Sequence, residues 1–193
     1  MYIPRHFEIT DREKIGEFVE ANGFGQLISS VDGRLFSSHI PFLLSQDRKK
    51  LLGHVAKQNP QWKELEQQEV LITFQGSHGY ISPAWYSTPG VPTWNYQAVH
   101  IYGQCKLVNE PERLAELVEA LTEKYESSNE TPWRGQYDES LLRAIVGFEI
   151  LITKILCKFK LGQNRSRQDR EGVVEQLEAG GAVLLAEAMR NEF

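Results

Sequence analysis

The spacing of apolar residues changes along the chain from helical to extended and back to helical. Near the N-terminus a period close to 3.6 predicts a helix that begins at Thr10 and ends at Asn22-Gly23. Glu13 follows Thr10 by three positions, which is the spacing of a capping box. The apolar stripe of this helix comprises Ile15, Phe18 and Val19.

Extended segments with period-two alternation fill the middle of the chain. The pair Asp32-Gly33 between the first two favours a tight hairpin. In the last segment the apolar residues change from even positions, such as Phe148 and Ile150, to odd positions, such as Cys157 and Phe159. Such a change indicates a bulge or bend, which barrels need at their corners. The predicted strands are residues 24–30, 34–44, 50–56, 70–75, 80–86, 95–108 and 146–161.

Helical patterns bracket these strands and do not alternate with them. A strong helix follows Asn109 as cap, and Trp133 is the one large apolar anchor of the polar segment 127–138 after it. The apolar stripe of this helix comprises Leu114, Leu117, Val118, Leu121 and Tyr125. Ser166 with Asp169 predicts another capping box, and Gly180-Gly181 divides two C-terminal helices. Such an order indicates an α+β fold with an antiparallel, barrel-like sheet flanked by helices. We expect one domain over residues 1–193, with the C-terminal helices at about 166–193.

Composition and charge narrow the class of protein. The 193 residues are 41% hydrophobic and 24% charged, and no apolar run approaches the ~20 residues that span a bilayer. Because residues 1–9 lack a signal-peptide core, we expect a mature cytoplasmic protein with no membrane partner. A net charge of −5 argues against DNA binding through a broad basic surface, so direct DNA contact is doubtful.

Several other chemistries lack their motifs. The five histidines show no metal-ligand spacing, and residues 76–79 do not form a nucleophile elbow. No glycine-rich loop opens a helix as in nucleotide-binding folds. The two cysteines, Cys105 and Cys157, lie on apolar strand faces and are expected to be buried thiols.

Four segments concentrate polar and aromatic residues, and they carry a resemblance to a known family. They read GHVAKQNPQW at 53–62, YISPAWY at 80–86, VPTWNY at 91–96 and KFKLGQNR at 158–165. In order and spelling they resemble the PaiB family, which is described as FMN-binding and as a negative regulator of protease synthesis and sporulation. The resemblance extends over nearly the whole chain. One departure is Gly162, where the family normally has serine.

The resemblance implies a fold and a place for the cofactor. The PaiB family is similar to the split barrels of pyridoxamine-phosphate oxidases and flavin reductases, in which a homodimer holds FMN in the crevice between subunits. By position, His54 and Lys57 would bind the flavin phosphate, with Asn59 at the helix start just beyond. A phosphate favours a cation and free backbone N–H groups, which supports this expectation. Asn59 as a simple cap and Lys57 as a solvent lysine remain open.

Aromatic and hydroxyl groups are expected near the flavin ring. Planar apolar faces stack on such a ring, and a few polar groups orient it. Ordinary core or dimer-interface packing is the alternative for each aromatic residue. The candidates are His39, Tyr80, Ser82, Trp94 and Tyr96.

Lys158 and Lys160 share one face of a strand, and with Arg165, Arg167 and Arg170 they form the most basic stretch of the chain. These cations could bind the flavin phosphate from the partner subunit, contact DNA, or form a solvated face. The sequence leaves the three interpretations open.

Three functional hypotheses follow. The first is an FMN-binding negative transcriptional regulator of the PaiB type, homodimeric and acting indirectly or as a flavin or redox sensor. The second is an FMN-dependent oxidoreductase of the flavin-reductase or pyridoxamine-phosphate-oxidase kind. The third is a protein that has kept the fold and lost the flavin. An open ring site would separate the first two from the third.

Overall fold

The computed structural model describes residues 1–133, 137 and 139–192, except for the side chain of residue 139. Its helices are α1 (Arg12–Ala21), α2 (Pro111–Glu126), α3 (Glu139–Leu142), α4 (Arg167–Ala179) and α5 (Val183–Arg190). Its strands are β1 (Phe24–Val31), β2 (Arg34–Pro41), β3 (Leu43–Leu44), β4 (Lys50–Ala56), β5 (Glu69–Ile81), β6 (Thr93–Val108) and β7 (Ile145–Lys160). Short 3₁₀ turns at Pro60–Lys63 and Pro83–Trp85 follow β4 and β5.

The strands form one seven-stranded sheet in the order β2-β1-β5-β6-β7-β4-β3. Strand β1 pairs antiparallel with β2 and with β5, and β4 pairs antiparallel with β7. The β1–β2 hairpin turns at Asp32 and Gly33, which have φ values of 50° and 74°, as a tight hairpin requires. These features confirm the predicted α+β class with an antiparallel sheet and flanking helices.

Backbone contacts divide the chain into two compact units. The first comprises Met1–Phe18, Gln75–Val99 and the described residues from Leu156 onward. The second comprises Val19–Phe74 and the described residues from His100 to Ile155. Each of three strands has one part in the first unit and the other part in the second; these are β5, β6 and β7.

The first unit has a core beneath α1, α4 and α5. The rings of Phe18 and Phe159 lie 5.0 Å apart between centroids. Gly76 of β5 packs so closely on this pair that an added Cβ would lie 2.6 Å from Phe18 Cε2. The C-terminal helices bury the apolar side chains of Val173, Val174, Leu177, Leu185 and Met189.

The second unit has its own core inside the sheet and another under α2. The inward side chains of the strands are fully or almost fully buried; they are Leu27, Leu51, Ile72, Phe74, Phe148 and Ile150. Helix α2 buries Leu114, Leu117, Val118 and Leu121, and partly buried Leu43, Leu52 and Ile145 pack against them. The apolar stripe predicted for this helix is thus confirmed, except at Tyr125, which is exposed.

Strand β5 differs from the prediction of two separate strands with a break at the glycines. It runs unbroken from Glu69 to Ile81. Gly76 and Gly79 interrupt the apolar pattern because Phe18 and Leu185 occupy the space that their side chains would fill. From the sequence alone, a glycine that allows close packing within a strand therefore cannot be distinguished from a glycine that marks a turn.

Two predicted helix caps and one predicted anchor were wrong. Asp11, not Thr10, caps α1, since its Oδ1 accepts the Glu13 amide at 2.9 Å. Helix α2 has Glu110 as its N-cap residue in place of Asn109. Trp133, the expected apolar anchor of residues 127–138, is exposed. The rest of that segment lies partly outside the described residues.

Candidate functional site

Side chains on one face of three neighbouring strands in the first unit form one connected cluster with Tyr2 of the N-terminal segment. We define it as the aromatic–cationic face, made of Tyr2, His78, Tyr80, Trp94, Tyr96, Lys158 and Lys160. On β5 to β7 these residues alternate with inward ones such as Ile81, Asn95 and Phe159, which are buried. The strand period therefore brings five predicted site residues together: Tyr80, Trp94, Tyr96, Lys158 and Lys160.

The aromatic end of this face is open. Trp94 is 55% exposed and Tyr80 is 46% exposed. Their ring centroids lie 6.3 Å apart in an edge-to-face arrangement, and the ring of His78 is stacked 6.4 Å from Trp94. An indole surface this exposed, with its edge supported by a phenol, can stack against a planar ligand.

Lys158 lies in a cage of aromatic rings. Its residue exposure is only 7%. The Nζ atom lies 5.2 Å from the ring centroid of Tyr96 and 5.8 Å from that of Tyr2, and it donates to the carbonyl of Tyr2 at 3.3 Å. Cation–π attraction therefore compensates part of the cost of burying this ammonium group.

Lys160 lies beside Lys158 and fixes the start of β6. Its Nζ donates to Thr93 Oγ1 and to the carbonyl oxygen of Trp94. Burial, and then the charges of Lys158 and Arg165, hold the pKa of Lys160 below its ordinary value. An anion that approaches such a lysine stabilises its charged form and so raises its pKa again.

Arg165 completes the cationic end. The centre of its guanidinium lies 4.3 Å from the ring centroid of Tyr86, and Nη1 donates to the carbonyl of Pro89 at 3.3 Å. Among the described residues, no carboxylate forms an ion pair with Lys158, Lys160 or Arg165. Three neighbouring cations without a counter-charge make a surface that attracts a phosphate.

Ser82 belongs to the same unit but has a local role. Its hydroxyl accepts the amide of Ala84 at 3.2 Å and caps the 3₁₀ turn Pro83–Trp85. This capping bond is enough to explain a serine at position 82, and no ligand contact is needed.

The residues predicted for the flavin phosphate lie in the second unit, and Asn59 is engaged in a buried network there. Its Oδ1 accepts the amide of Gln61 at 3.0 Å, and its Nδ2 donates to Ser38 Oγ at 2.8 Å. Gln61 is fully buried and donates to Ser29 Oγ at 2.8 Å and to the carbonyl of Leu27 at 3.2 Å. Asn59 therefore acts as a helix cap and as one member of this network.

Lys57 lies at the rim of a pocket of about 550 Å³, which falls within the size range of cofactor sites. Its carbonyl accepts the indole N–H of Trp62 at 2.9 Å, which holds this turn in place. The pocket combines one indole, apolar side chains and two cationic residues. Its lining includes Lys57, Trp62, Leu107, Leu114, Arg143 and Ile145.

The two predicted histidines of the second unit differ in their surroundings. Nδ1 of His54 is buried and has no hydrogen-bond partner among the residues that the structure describes, and burial lowers the pKa of this imidazole. His39 is exposed, and its Nε2 lies 2.9 Å from Nε2 of Gln26. A buried ring nitrogen without a partner is a place where a ligand group could bind.

Sequence reasoning missed two residues that contribute to these arrangements. Tyr2 covers Lys158, and Gln61 organises the network around Asn59. Gln61 lies within the 53–62 motif, so the sequence drew attention to the segment but gave no sign that this glutamine is buried. Tyr2 had no periodic signal, since residues 1–9 form a 3₁₀ turn and an isolated bridge from Glu8 to Lys158.

The two cysteines are buried, as the sequence predicted. Cys105 and Cys157 are buried, and desolvation raises the pKa of each to about 12, so neither is a reactive thiolate at neutral pH. Within the described ranges no group of three or more metal-ligating side chains is found. None of the described helices has both the length and the apolar character needed to cross a bilayer.

The family of the chain follows from comparison with known proteins. The family model described as "Putative FMN-binding domain" matches residues 1–154, so the chain belongs to this family. Among curated proteins, the chain is similar to "Protease synthase and sporulation protein PAI 2" of Bacillus subtilis (strain 168). The two are 41% identical over 204 residues, which cover 100% of this chain and 98% of that protein. The PaiB resemblance is therefore confirmed.

Solved structures support the same fold at low sequence identity. The flavocytochrome Anf3 from Azotobacter vinelandii has a TM-score of 0.68 at 16% identity, covering 88% of this chain and 78% of that one. The FAD and heme binding protein from Mycobacterium smegmatis has a TM-score of 0.67 at 16% identity, covering 90% and 80%. These similarities confirm the predicted split-barrel fold.

The residues present fit a flavin mononucleotide. The group combines a phosphate, which needs cations, with a planar ring, which needs an apolar or aromatic surface. Lys160 and Arg165 supply cations with no paired carboxylate in the part of the chain that the structure describes, and Trp94 and Tyr80 supply exposed rings. The expected flavin cofactor thus agrees with both the family and the side-chain chemistry.

Proposed function

We propose that this chain is an FMN-binding negative transcriptional regulator of the PaiB type that acts as a cytoplasmic homodimer. The observation that carries the proposal is the aromatic–cationic face. There, Lys160 donates to the carbonyl oxygen of the exposed Trp94, and neither Lys160 nor the neighbouring Arg165 has an ion-paired carboxylate among the described residues. The name of the Bacillus subtilis relative, which calls it a protease synthase and sporulation protein, supports a regulatory role.

Each part of the face has a role in holding FMN. Lys160 and Arg165 would bind the phosphate, whose charge compensates the mutual repulsion of these cations. Trp94 and Tyr80 would contact the isoalloxazine ring. Lys158, covered by Tyr2 and Tyr96, would contribute charge from below the surface. When bound, the flavin supplies reversible redox chemistry, which is what a redox sensor requires.

Residues of the second unit offer a second set of flavin contacts. Lys57 at its pocket and the buried Nδ1 of His54 support a role for that region, and His39 is accessible beside Gln26. In a homodimer each subunit supplies both regions. The predicted contribution of Lys57 to the phosphate is therefore retained as part of the proposal and tested separately from Lys160.

The homodimer is supported by apolar residues at an edge of the sheet. Strand β2 is first in the strand order, and its Leu35 is 86% exposed, with Phe24 of β1 also exposed. An exposed edge with large apolar side chains is a surface that proteins usually cover. We expect a dimer by light scattering, and a shift toward monomer on Leu35→Glu. A monomeric wild-type protein would contradict this part.

Regulation without direct DNA binding is supported by charge. The best candidate recognition helix, α4, carries Asp169, Glu171 and Glu175, and the net charge of the chain is −5. Both features oppose binding to phosphates. We expect no mobility shift of promoter DNA at physiological salt. A salt-sensitive, sequence-specific shift that Lys158→Met and Lys160→Met abolish would overturn the indirect mechanism.

The experiment that tests the cofactor site is a titration with FMN, followed by flavin fluorescence and calorimetry. We expect a micromolar or lower Kd, raised about tenfold by Lys160→Met because one charged contact to phosphate is lost. Lys154→Met is the matched control, since Lys154 lies on the same strand and is exposed. Lys57→Ala tests the second region in the same assay. Absence of binding at ~100 μM FMN by a folded protein would overturn the proposal.

An FMN-dependent oxidoreductase is the second candidate, and the openness of the ring surface favours it over a flavin-free protein. Because Trp94 is 55% exposed, the aromatic end is not filled by the chain's own side chains. Turnover of reduced nicotinamide by the FMN-loaded protein would support this candidate. A flavin that binds but is not reduced under these conditions would leave the regulator as the function.

A further inference from the structure

One carboxylate of the first unit is buried against a loop and not against a cation. Asp169, in the first turn of α4, is 1% exposed. Its Oδ1 accepts the amide of Ser87 at 2.8 Å, the hydroxyl of Ser87 at 2.8 Å and the amide of Thr88 at 3.2 Å. Its Oδ2 accepts the hydroxyl of Thr88 at 2.6 Å. The loop between β5 and β6 is thus attached to α4 by four hydrogen bonds to one side chain.

Helix capping does not account for this arrangement. Ser166 caps α4 by accepting the amide of Asp169 at 3.1 Å. In a capping box the third residue returns a bond to the cap, but here the carboxylate bonds to Ser87 and Thr88. These bonds hold the pKa of Asp169 far below its ordinary value. Asp169 is therefore ionised at neutral pH, and the groups that lower its pKa are uncharged donors of the loop.

The attached loop also holds Arg165. Tyr86, which directly precedes Ser87, lies under the guanidinium of Arg165 at 4.3 Å, and Pro89 accepts a hydrogen bond from Nη1. Gly90 packs on the same ring, where an added Cβ would lie 2.4 Å from Tyr86 Cδ2. The residues on either side of Ser87 and Thr88 thus determine where the Arg165 side chain lies.

We propose that Asp169 is a positioning residue: by holding Ser87 and Thr88 it fixes Tyr86 and Pro89, which hold the Arg165 guanidinium for the FMN phosphate. The inference rests on the proposed cofactor site, because it assigns Arg165 to the phosphate. It adds a residue that contacts no ligand itself. A purely structural role, in which Asp169 only attaches α4, is the competing explanation.

The phosphate distinguishes the two explanations. Riboflavin has the flavin ring without the phosphate, so it measures ring binding alone. If Asp169 acts through Arg165, Asp169→Asn weakens FMN binding about fivefold or more and changes riboflavin binding less than about twofold. In an Arg165→Met background the same substitution has no further effect on FMN, because the group through which it acts is gone. Equal losses for both ligands, or additive losses, would overturn the inference.

A second readout does not need a bound flavin. The Nε–H signal of Arg165 in a ¹⁵N spectrum is expected to be distinct in the wild type and averaged in Asp169→Asn. If Asp169→Asn fails to fold, Thr88→Val replaces it in this test. This substitution removes one hydrogen bond and keeps the side-chain shape, so we expect a change in the Arg165 signal in the same direction but smaller. Glu171→Gln, an exposed residue on the same helix, is the matched control and should change neither readout.

The two readouts separate this inference from the proposed function. If the wild type binds no FMN, the cofactor proposal fails, and the Arg165 signal alone decides whether Asp169 positions that side chain. If FMN binds normally and the Arg165 signal is unchanged in both Asp169→Asn and Thr88→Val, the cofactor proposal stands and the positioning role is wrong.

Discussion

Two groups of residues that were predicted for the same cofactor have opposite hydrogen-bond and charge balances. In the second unit, Asn59 belongs to a network with Gln61, Ser38 and Ser29 in which the donors and acceptors bond to one another. In the first unit, Lys160 and its cationic neighbours have no ion-paired carboxylate among the described residues. The first arrangement is complete without a ligand, and the second is not.

The difference shows what a motif of polar residues can and cannot indicate. Both groups stand out in the sequence because polar and aromatic residues are concentrated there. A buried network rigidifies the fold when every member is satisfied. Cations that repel one another destabilise the fold unless something else compensates them, so their presence is better explained by an anion that binds. The following predictions test this distinction between a structural and a functional group.

The largest expected effect is on stability, from removing the centre of the buried network. Gln61→Ala removes the side-chain partner of Ser29 and one of the two partners of Ser38, and it opens a cavity, which should lower the free energy of unfolding by about 3 kcal/mol. Thermal unfolding should show a fall in Tm of roughly 6–12 °C for a chain of this size. The matched control is Gln67→Ala, an exposed glutamine nearby, for which we expect almost no change.

The same pair of variants tests whether the network contributes to ligand binding. If the network is structural, Gln61→Ala retains its affinity for FMN at temperatures where it is folded. A loss of FMN affinity without a loss of stability would reverse the assignment, because it would make Asn59 and Gln61 part of the site.

The second prediction concerns ring stacking on the aromatic–cationic face. Trp94→Ala should weaken FMN binding about tenfold, since aromatic stacking contributes on the order of 1–2 kcal/mol. Trp133→Ala is a matched control, because both tryptophans are 55% exposed and Trp133 lies in the other unit. Equal effects from the two substitutions would mean that the loss is nonspecific. Flavin fluorescence quenching measures both.

The sequence predicted the elements well and the burial of individual polar residues poorly. Strand β4 has the predicted bounds, and the parity of buried residues in β7 changes from Phe148 and Ile150 to Cys157 and Phe159 as expected. Alternation records which face a residue occupies, so it could place Trp94 and Lys160 on outward faces. It could not indicate that Asp169 bonds to a loop 81 and 82 positions earlier in the chain.

Long-range contacts explain the remaining differences. The break predicted within β5 does not exist because Gly76 packs against Phe18, a contact that no local pattern contains. Asn59 was predicted both as a cap and as a ligand; its local bond from the Gln61 amide makes it a cap, and its bond to Ser38, 21 positions away, engages the rest of its side chain. Local chemistry can therefore nominate polar residues, whereas their partners determine which of them remain available for a ligand.

A third prediction concerns Gly162, where the PaiB resemblance leads us to expect serine. Gly162 has a φ of 86°, a conformation that disfavours any side chain, although an added Cβ would have no contact closer than 3.6 Å. Gly162→Ala should therefore lower the free energy of unfolding by about 1 kcal/mol through backbone strain alone. Gly162→Ser carries the same strain and adds the hydroxyl that the resemblance leads us to expect. Stronger FMN binding by the serine variant than by the alanine variant would identify a contact from that hydroxyl.

The smallest expected effect is a pH dependence that separates the two groups of residues by charge. The pKa of Lys160 is lowered by burial and by Lys158 and Arg165, so its charge opposes folding at neutral pH, and this penalty is relieved as the pH rises toward the ordinary lysine value of 10.5. A bound phosphate supplies the opposite charge and raises that pKa, so FMN binding takes up a proton in this alkaline range. FMN affinity should therefore fall a few-fold as Lys160 loses its proton.

Titrations at increasing pH should show this fall in the wild type and in Lys154→Met, and a weaker one in Lys160→Met. Riboflavin, which lacks the phosphate, corrects for ionisation of the ring, and an equal fall for both ligands would exclude Lys160 as the group that responds.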